Sequence, residues 1–140
     1  MLTMLAPALL LAAAALAVQA PAAPGRTPQP PAAPTSTTQD VDALTASPDN
    51  FRLVLENDRV RVLEYTLLPG QKDRRHTHPK RVAHVIAGGK LRVHFPDGRH
   101  LDFDEKVGST EWSDSAPLHD TENIGTTPIK ILLVEVKDAR

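Results

Sequence analysis

A chain of 140 residues with no cysteine and a formal net charge of -1 has room for one modest core, and it cannot be a disulfide scaffold. Lys and Arg total 16 and Asp and Glu total 17. Only Arg26, Asp40 and Asp42 lie before residue 49, so removing them leaves 15 of each sign. That balance carries no electrostatic footprint for nucleic acid or for an anionic membrane surface.

Residues 1–20, MLTMLAPALLLAAAALAVQA, are uncharged and apolar but too short and alanine-rich for a comfortable spanning helix. They are read as a secretory signal, with small residues at Ala15 and Ala17, or Val18 and Ala20, as cleavage determinants. This predicts a periplasmic or secreted protein with no stable membrane insertion once the signal is cleaved; an uncleaved anchor is the alternative. Residues 21–48 form a second segment. Six prolines between Pro21 and Pro34, followed by Thr35, Ser36, Thr37 and Thr38, suit a disordered, semi-extended linker, with order beginning near Asp49.

From residue 49 to 140 short β-branched and apolar runs alternate with turn residues, which predicts an all-β sandwich or barrel of eight or nine strands. Phe51 to Glu56 is a strand and Asn57-Asp58 a turn. Arg59 to Leu67 follows, with Val60 and Val62 on the face opposite Arg61, Leu63 and Tyr65. Pro69-Gly70 ends it. Val82 to Ala87 then meets Gly88-Gly89, from which Lys90 to Phe95 is expected to return as a hairpin partner. Pro96-Asp97-Gly98 turns into Arg99 to Asp104. Thr110 to Trp112, His119 to Asn123 and Ile129 to Lys137 complete the set.

His76 and His78 flank a single residue, so on an extended strand both imidazoles project to one face, about 7 Å apart. Imidazole suits Zn, Fe, Ni and Cu, but two such ligands need others from elsewhere in the fold. Lys72, Arg74, Arg75, Lys80 and Arg81 bracket the pair and are read as a solvated basic loop near the mouth of the barrel.

Two longer patterns surround these histidines: GQKDRRHTHPKRVAHVIAGG from Gly70 and GSTEWSDSAPLHDTEN from Gly108. They resemble the two motifs of the cupin superfamily. Gly70, His76, His78 and Gly89 occupy the places of the first motif, and Gly108, His119 and Asn123 those of the second. Val82 stands where the first motif has glutamate, and Asp114 and Ala116 replace the proline and glycine of the second.

The resemblance implies an all-β single jelly-roll cupin barrel over residues 49–140, holding a divalent transition metal (Fe, Mn, Zn or Ni) on His76, His78 and His119. Asn123 would support the site or the barrel wall, and Tyr65 could offer it a phenolic donor. His84 is an additional candidate ligand, although a lumen histidine one layer from the metal is the better expectation. Three neutral imidazoles leave positions open for water or substrate and favour an anionic small-molecule ligand. By ligand type the site resembles that of thiol and diketone dioxygenases. The expectation is therefore a metal-dependent small-molecule enzyme of oxygenase or isomerase type. The alternative is a non-catalytic module binding a metal or metabolite. Cupins commonly form homodimers, though no segment here predicts one.

Overall fold

A computed structural model of the protein describes residues 40–138. The expected signal segment and the linker up to residue 39 lie outside the described residues. One short helix, α1 (Ala43–Ala46), precedes nine strands: β1 (Phe51–Glu56), β2 (Val60–Leu67), β3 (His76–His78), β4 (Arg81–Ala87), β5 (Gly89–His94), β6 (His100–Glu105), β7 (Thr110–Ser113), β8 (Ala116–Asn123) and β9 (Ile129–Val136). A five-stranded sheet has the order β1-β2-β9-β4-β7 and a four-stranded sheet the order β3-β8-β5-β6, with antiparallel pairing throughout.

The period-two pattern of the sequence becomes the inside and outside of this sandwich. In β9, Ile129, Ile131, Leu133 and Glu135 are buried while the residues between them are half-buried. In β2, Leu63, Tyr65 and Leu67 are buried, and they pair directly with Leu133, Ile131 and Ile129 of β9. Phe51, Val85 and Leu91 complete the apolar core with Ala43 from α1. Leu63, Leu67 and Ile129 are fully enclosed, and burial of such side chains contributes about 1.5–3 kcal/mol each.

Two expectations are corrected. Ordered structure is already present ahead of Asp49, in α1 and in the bridge between Asp42 and Thr77. Asp42 caps α1 by accepting from Thr45 N at 3.0 Å, and Thr77 N donates to Val41 O at 2.8 Å. This segment therefore flanks β3 on the side opposite β8. Secondly, Gly88-Gly89 is not a hairpin turn, because β4 and β5 belong to different sheets. The chain crosses between sheets there, and a Cβ on Gly88 would stand 2.2 Å from Glu105 O. The glycine answers a close backbone approach, not a turn needing positive φ. A true hairpin does form at Pro96-Asp97-Gly98, where Gly98 has φ 85° and Phe95 N donates to Arg99 O. Gly88→Val is expected to destabilise the domain by about 1–3 kcal/mol through overpacking, measurable as a lowered denaturant midpoint; an unchanged midpoint would refute the close-approach account.

Candidate metal centre

The strand β3 is only three residues long, yet it is held on both sides. His76 lies opposite His119 in the β3–β8 ladder, and His78 opposite Ala116 across a register shift. His76, His78 and His119 are 1%, 5% and 5% exposed, and one nitrogen from each lies within 4.8 Å of the others. The ring centroids of His76 and His119 are 4.6 Å apart, and those of His76 and His78 are 4.7 Å apart.

Each ring is oriented by its other nitrogen. His76 Nδ1 donates to Arg74 O at 2.7 Å, and His119 Nδ1 to Pro117 O at 2.7 Å. A carbonyl oxygen can only accept, so these two rings carry their proton on Nδ1. His78 Nδ1 meets Glu135 Oε1 at 2.8 Å. The three Nε2 atoms are thereby left as free lone pairs. Those of His76 and His78 stand 3.1 Å apart, the separation of two nitrogens at about 2.1 Å from one ion and roughly 95° apart. Burial holds His78 well below the ordinary imidazole range, aided by the positive charge of Arg81. Burial likewise lowers His119 to about 4. Both rings are neutral, as metal ligation requires. With each Nδ1 turned to an oxygen acceptor, the three Nε2 atoms face one another across the site, and a divalent cation fits between them.

Glu135 was not anticipated. It is the fourth inward residue of β9, after three aliphatic ones, and its alternation in the run Ile129 to Val136 is the signal that marks it. Its Oε2 accepts from Arg61 Nε at 2.7 Å and stands 2.7 Å from Arg61 Nη2. Arg61 Nη1 in turn reaches Asp42 Oδ2 at 2.6 Å. A continuous chain thus runs from the α1 cap through Arg61 and Glu135 to His78. The carboxylate missing at Val82 is present one bond further out, where it orients a ligand instead of serving as one.

The other proposed residues sit apart from the three histidines. His84 is exposed on the outer face of β4, with Nδ1 2.7 Å from Thr110 Oγ1. It cannot ligate, because Arg81, Ala83 and Val85 are the inward residues of that strand, paired with Glu135, Leu133 and Ile131. Val82 also faces outward. Asn123 is buried, and its amide donates to Leu67 O at 2.9 Å and Thr127 O at 2.8 Å while Oδ1 accepts from Gly125 N. It fastens the β8–β9 connection.

Tyr65 stacks on Phe51 with centroids 4.6 Å apart, and Phe51 in turn packs edge-on to His76. The Tyr65 hydroxyl donates to Asp73 Oδ2 at 2.9 Å. Asp73 also accepts from Thr121 N at 2.6 Å. Burial, with the Asp73 carboxylate, keeps the phenol protonated. Tyr65→Phe leaves the buried Asp73 one donor short and is expected to cost about 1–3 kcal/mol of stability. Metal content per folded chain should not change; loss of metal would place Tyr65 in the site after all.

The arrangement of the strands has solved counterparts. A cupin-domain protein from Bordetella pertussis Tohama I superposes with a TM-score of 0.58 at 22% identity, over 63% of this chain and 92% of that one. The fold is the cupin double-stranded β-helix. A conserved protein with a double-stranded β-helix domain from Klebsiella pneumoniae matches the same cupin fold at TM-score 0.50 and 24% identity, over 61% of this chain and 74% of its own. An RmlC-like cupin family protein from Methanocaldococcus jannaschii matches at TM-score 0.51 and 14% identity, over 61% and 77%. No protein-family model matches the sequence, and none of the curated proteins does. Within this cupin fold the three histidines occupy facing strands of the four-stranded sheet, and Glu135 reaches His78 from the other sheet.

Proposed function

We propose that this chain is an exported, metal-dependent enzyme acting on a small molecule, with oxygenase or isomerase-type chemistry. The observation that carries the proposal is the fixed orientation of His76, His78 and His119: each Nδ1 is taken by an acceptor, so three Nε2 lone pairs converge in a buried lumen. A divalent ion held there would supply Lewis acidity with coordination positions left open for a ligand. The chain's own residues do the rest. Phe51 and the apolar core exclude water from the imidazoles, and Glu135 with Arg61 holds His78 in one tautomer. The apolar run before Pro21 supports export to the periplasm or cell exterior.

The test is metal analysis of untagged full-length protein after reconstitution with Fe(II), Mn(II), Zn(II) or Ni(II). Close to one equivalent is expected for at least one ion; less than about a tenth of an equivalent for all four would overturn the proposal, since a preformed buried site should load readily. Oxygen uptake by the Fe(II) form, against a panel of thiols and diketones, separates an oxygenase from a module that only binds. A mature N-terminus still at Met1 would overturn export with cleavage.

A further inference from the structure

Arg81 departs from the solvated basic loop expected around the histidine pair. Lys72 Nζ reaches Asp120 Oδ1 at 2.8 Å, Arg75 Nε reaches Asp120 Oδ2 at 3.4 Å and Lys80 Nζ stands 3.9 Å from Asp138. Those groups are exposed cations, paired with the buried Asp120 or the exposed Asp138. Arg81 is instead the first residue of β4 and lies directly opposite Glu135 in the β4–β9 ladder. Ladder partners project to the same face, and the Glu135 side chain points inward to His78. The Arg81 side chain therefore enters the lumen beside the three histidines.

Two of its three nitrogens find no partner there. Nε and Nη1 are sealed from solvent and have no hydrogen-bond partner among the described residues. Glu135, its ladder partner, does not serve them: its Oε1 meets His78 and its Oε2 meets Arg61, and neither oxygen bonds Arg81 Nε or Nη1. A guanidinium stays charged at any ordinary pH, and a buried charge with unused donors is costly unless an acceptor completes it. The positive charge of Arg81 is felt at His78 and at His119, which places it within electrostatic reach of the metal ligands. Three uncharged imidazoles would leave a bound divalent ion uncompensated, and Arg81 adds a second positive centre on the same side of the lumen.

We propose that Arg81 is the anchor for the carboxylate of a small organic acid, whose second donor, a hydroxyl or thiol, faces the three-histidine centre. The proposal deepens the metal-enzyme reading above and rests on it for the second donor, but not for the carboxylate. A carboxylate accepts from guanidinium in charge-assisted hydrogen bonds that no neutral group matches. Position 81 thus selects the substrate by charge while the histidines select it by what it can place on the ion.

The probes are glycolate and its neutral counterpart glycolamide, titrated into full-length protein in Zn(II)-loaded and EDTA-treated forms. The readouts are calorimetric affinity and the NMR resonance of the Arg81 Nε–H, assigned by its disappearance in Arg81→Met. Glycolate should shift this resonance in both forms and glycolamide in neither. In the loaded protein, Arg81→Met should weaken glycolate by at least about tenfold, with Arg81→Lys intermediate and zinc stoichiometry unchanged in both. Wild-type glycolate affinity in a folded Arg81→Met, no glycolate binding by the wild type, or an Nε–H resonance silent at saturation each overturns the anchor. The wild-type resonance decides the matter should Arg81→Met fail to fold. Zinc binding with a silent Arg81 sinks the anchor alone; a responsive Arg81 in a chain that binds no metal sinks the metal reading and leaves the carboxylate site standing.

Discussion

Alanine at His76 is expected to lower affinity for a divalent metal by more than about a hundredfold, beyond the 10–100-fold typical of losing an outer partner of a ligand. His76 is the most enclosed of the three ligands, at 1% exposure, and its Nε2 faces that of His78 at 3.1 Å. Removing it leaves two imidazoles to hold the ion. The same replacement should cost less stability without metal than with it. In the metal-free wild type, facing lone pairs in a buried space oppose folding, so the variant without metal should lose less stability than an ordinary core truncation. With metal at a thousandfold over its dissociation constant, the wild type gains about 4 kcal/mol by mass action, which for a domain of this size raises the melting temperature by about 10 °C or more. His76→Ala and His119→Ala should show no such rise. His84→Ala, on the outer face, should behave as the wild type. Melting curves with and without Zn(II) decide this: a metal-dependent rise retained in His76→Ala would remove His76 from the site.

The parts of this molecule that could be read in advance are those in which neighbours in sequence remain neighbours in the fold. The strands of the β2–β9 pair follow from period-two burial, and His76 and His78 share a face because a single residue separates them. His119 was reached only through resemblance to a motif, since nothing local ties it to a residue 43 positions earlier in β3; the ladder that sets it opposite His76 is a tertiary fact. Gly88-Gly89 misled because a glycine pair between two apolar runs is consistent with a tight turn and with a backbone crossing, and only the partner at Glu105 distinguishes them. Helix α1, at four residues, is below the length at which helical periodicity exists. Arg81 and Glu135 were obscured by their neighbours. Five basic residues between positions 72 and 81 suggested solvent, and the six apolar or basic residues from Ile129 to Val134 before Glu135 suggested only a core strand. In both cases the inward register of Ala83 and Val85, or of Ile131 and Leu133, would have placed a charge in the lumen.

Glu135→Gln separates the role of that buried charge from its shape. Glu135 is 2% exposed at its side chain and Arg61 19%, so neither group is well served by water. Burial pushes the Glu135 carboxyl up while Arg61 pulls it down, and its two oxygens together accept from Arg61 and His78. An amide of the same shape offers one acceptor and one donor. If its oxygen faces His78, its NH₂ opposes a guanidinium that cannot lose its charge. If the oxygen faces Arg61, which electrostatics favours, the NH₂ donates to His78 Nδ1 and drives that ring to carry its proton on Nε2, where a metal would sit. Metal affinity should fall about 10–100-fold, and stability should fall by about 3 kcal/mol, as when one partner of a buried ion pair is removed. Removing Asp42 instead, which caps α1 and touches Arg61 from the more exposed end, should cost only about 1 kcal/mol and spare the metal. Denaturant unfolding and chelator competition on both variants would test the chain. Equal metal affinity in Glu135→Gln and wild type would mean that the tautomer of His78 is set without Glu135, and that the carboxylate in this barrel serves the fold alone.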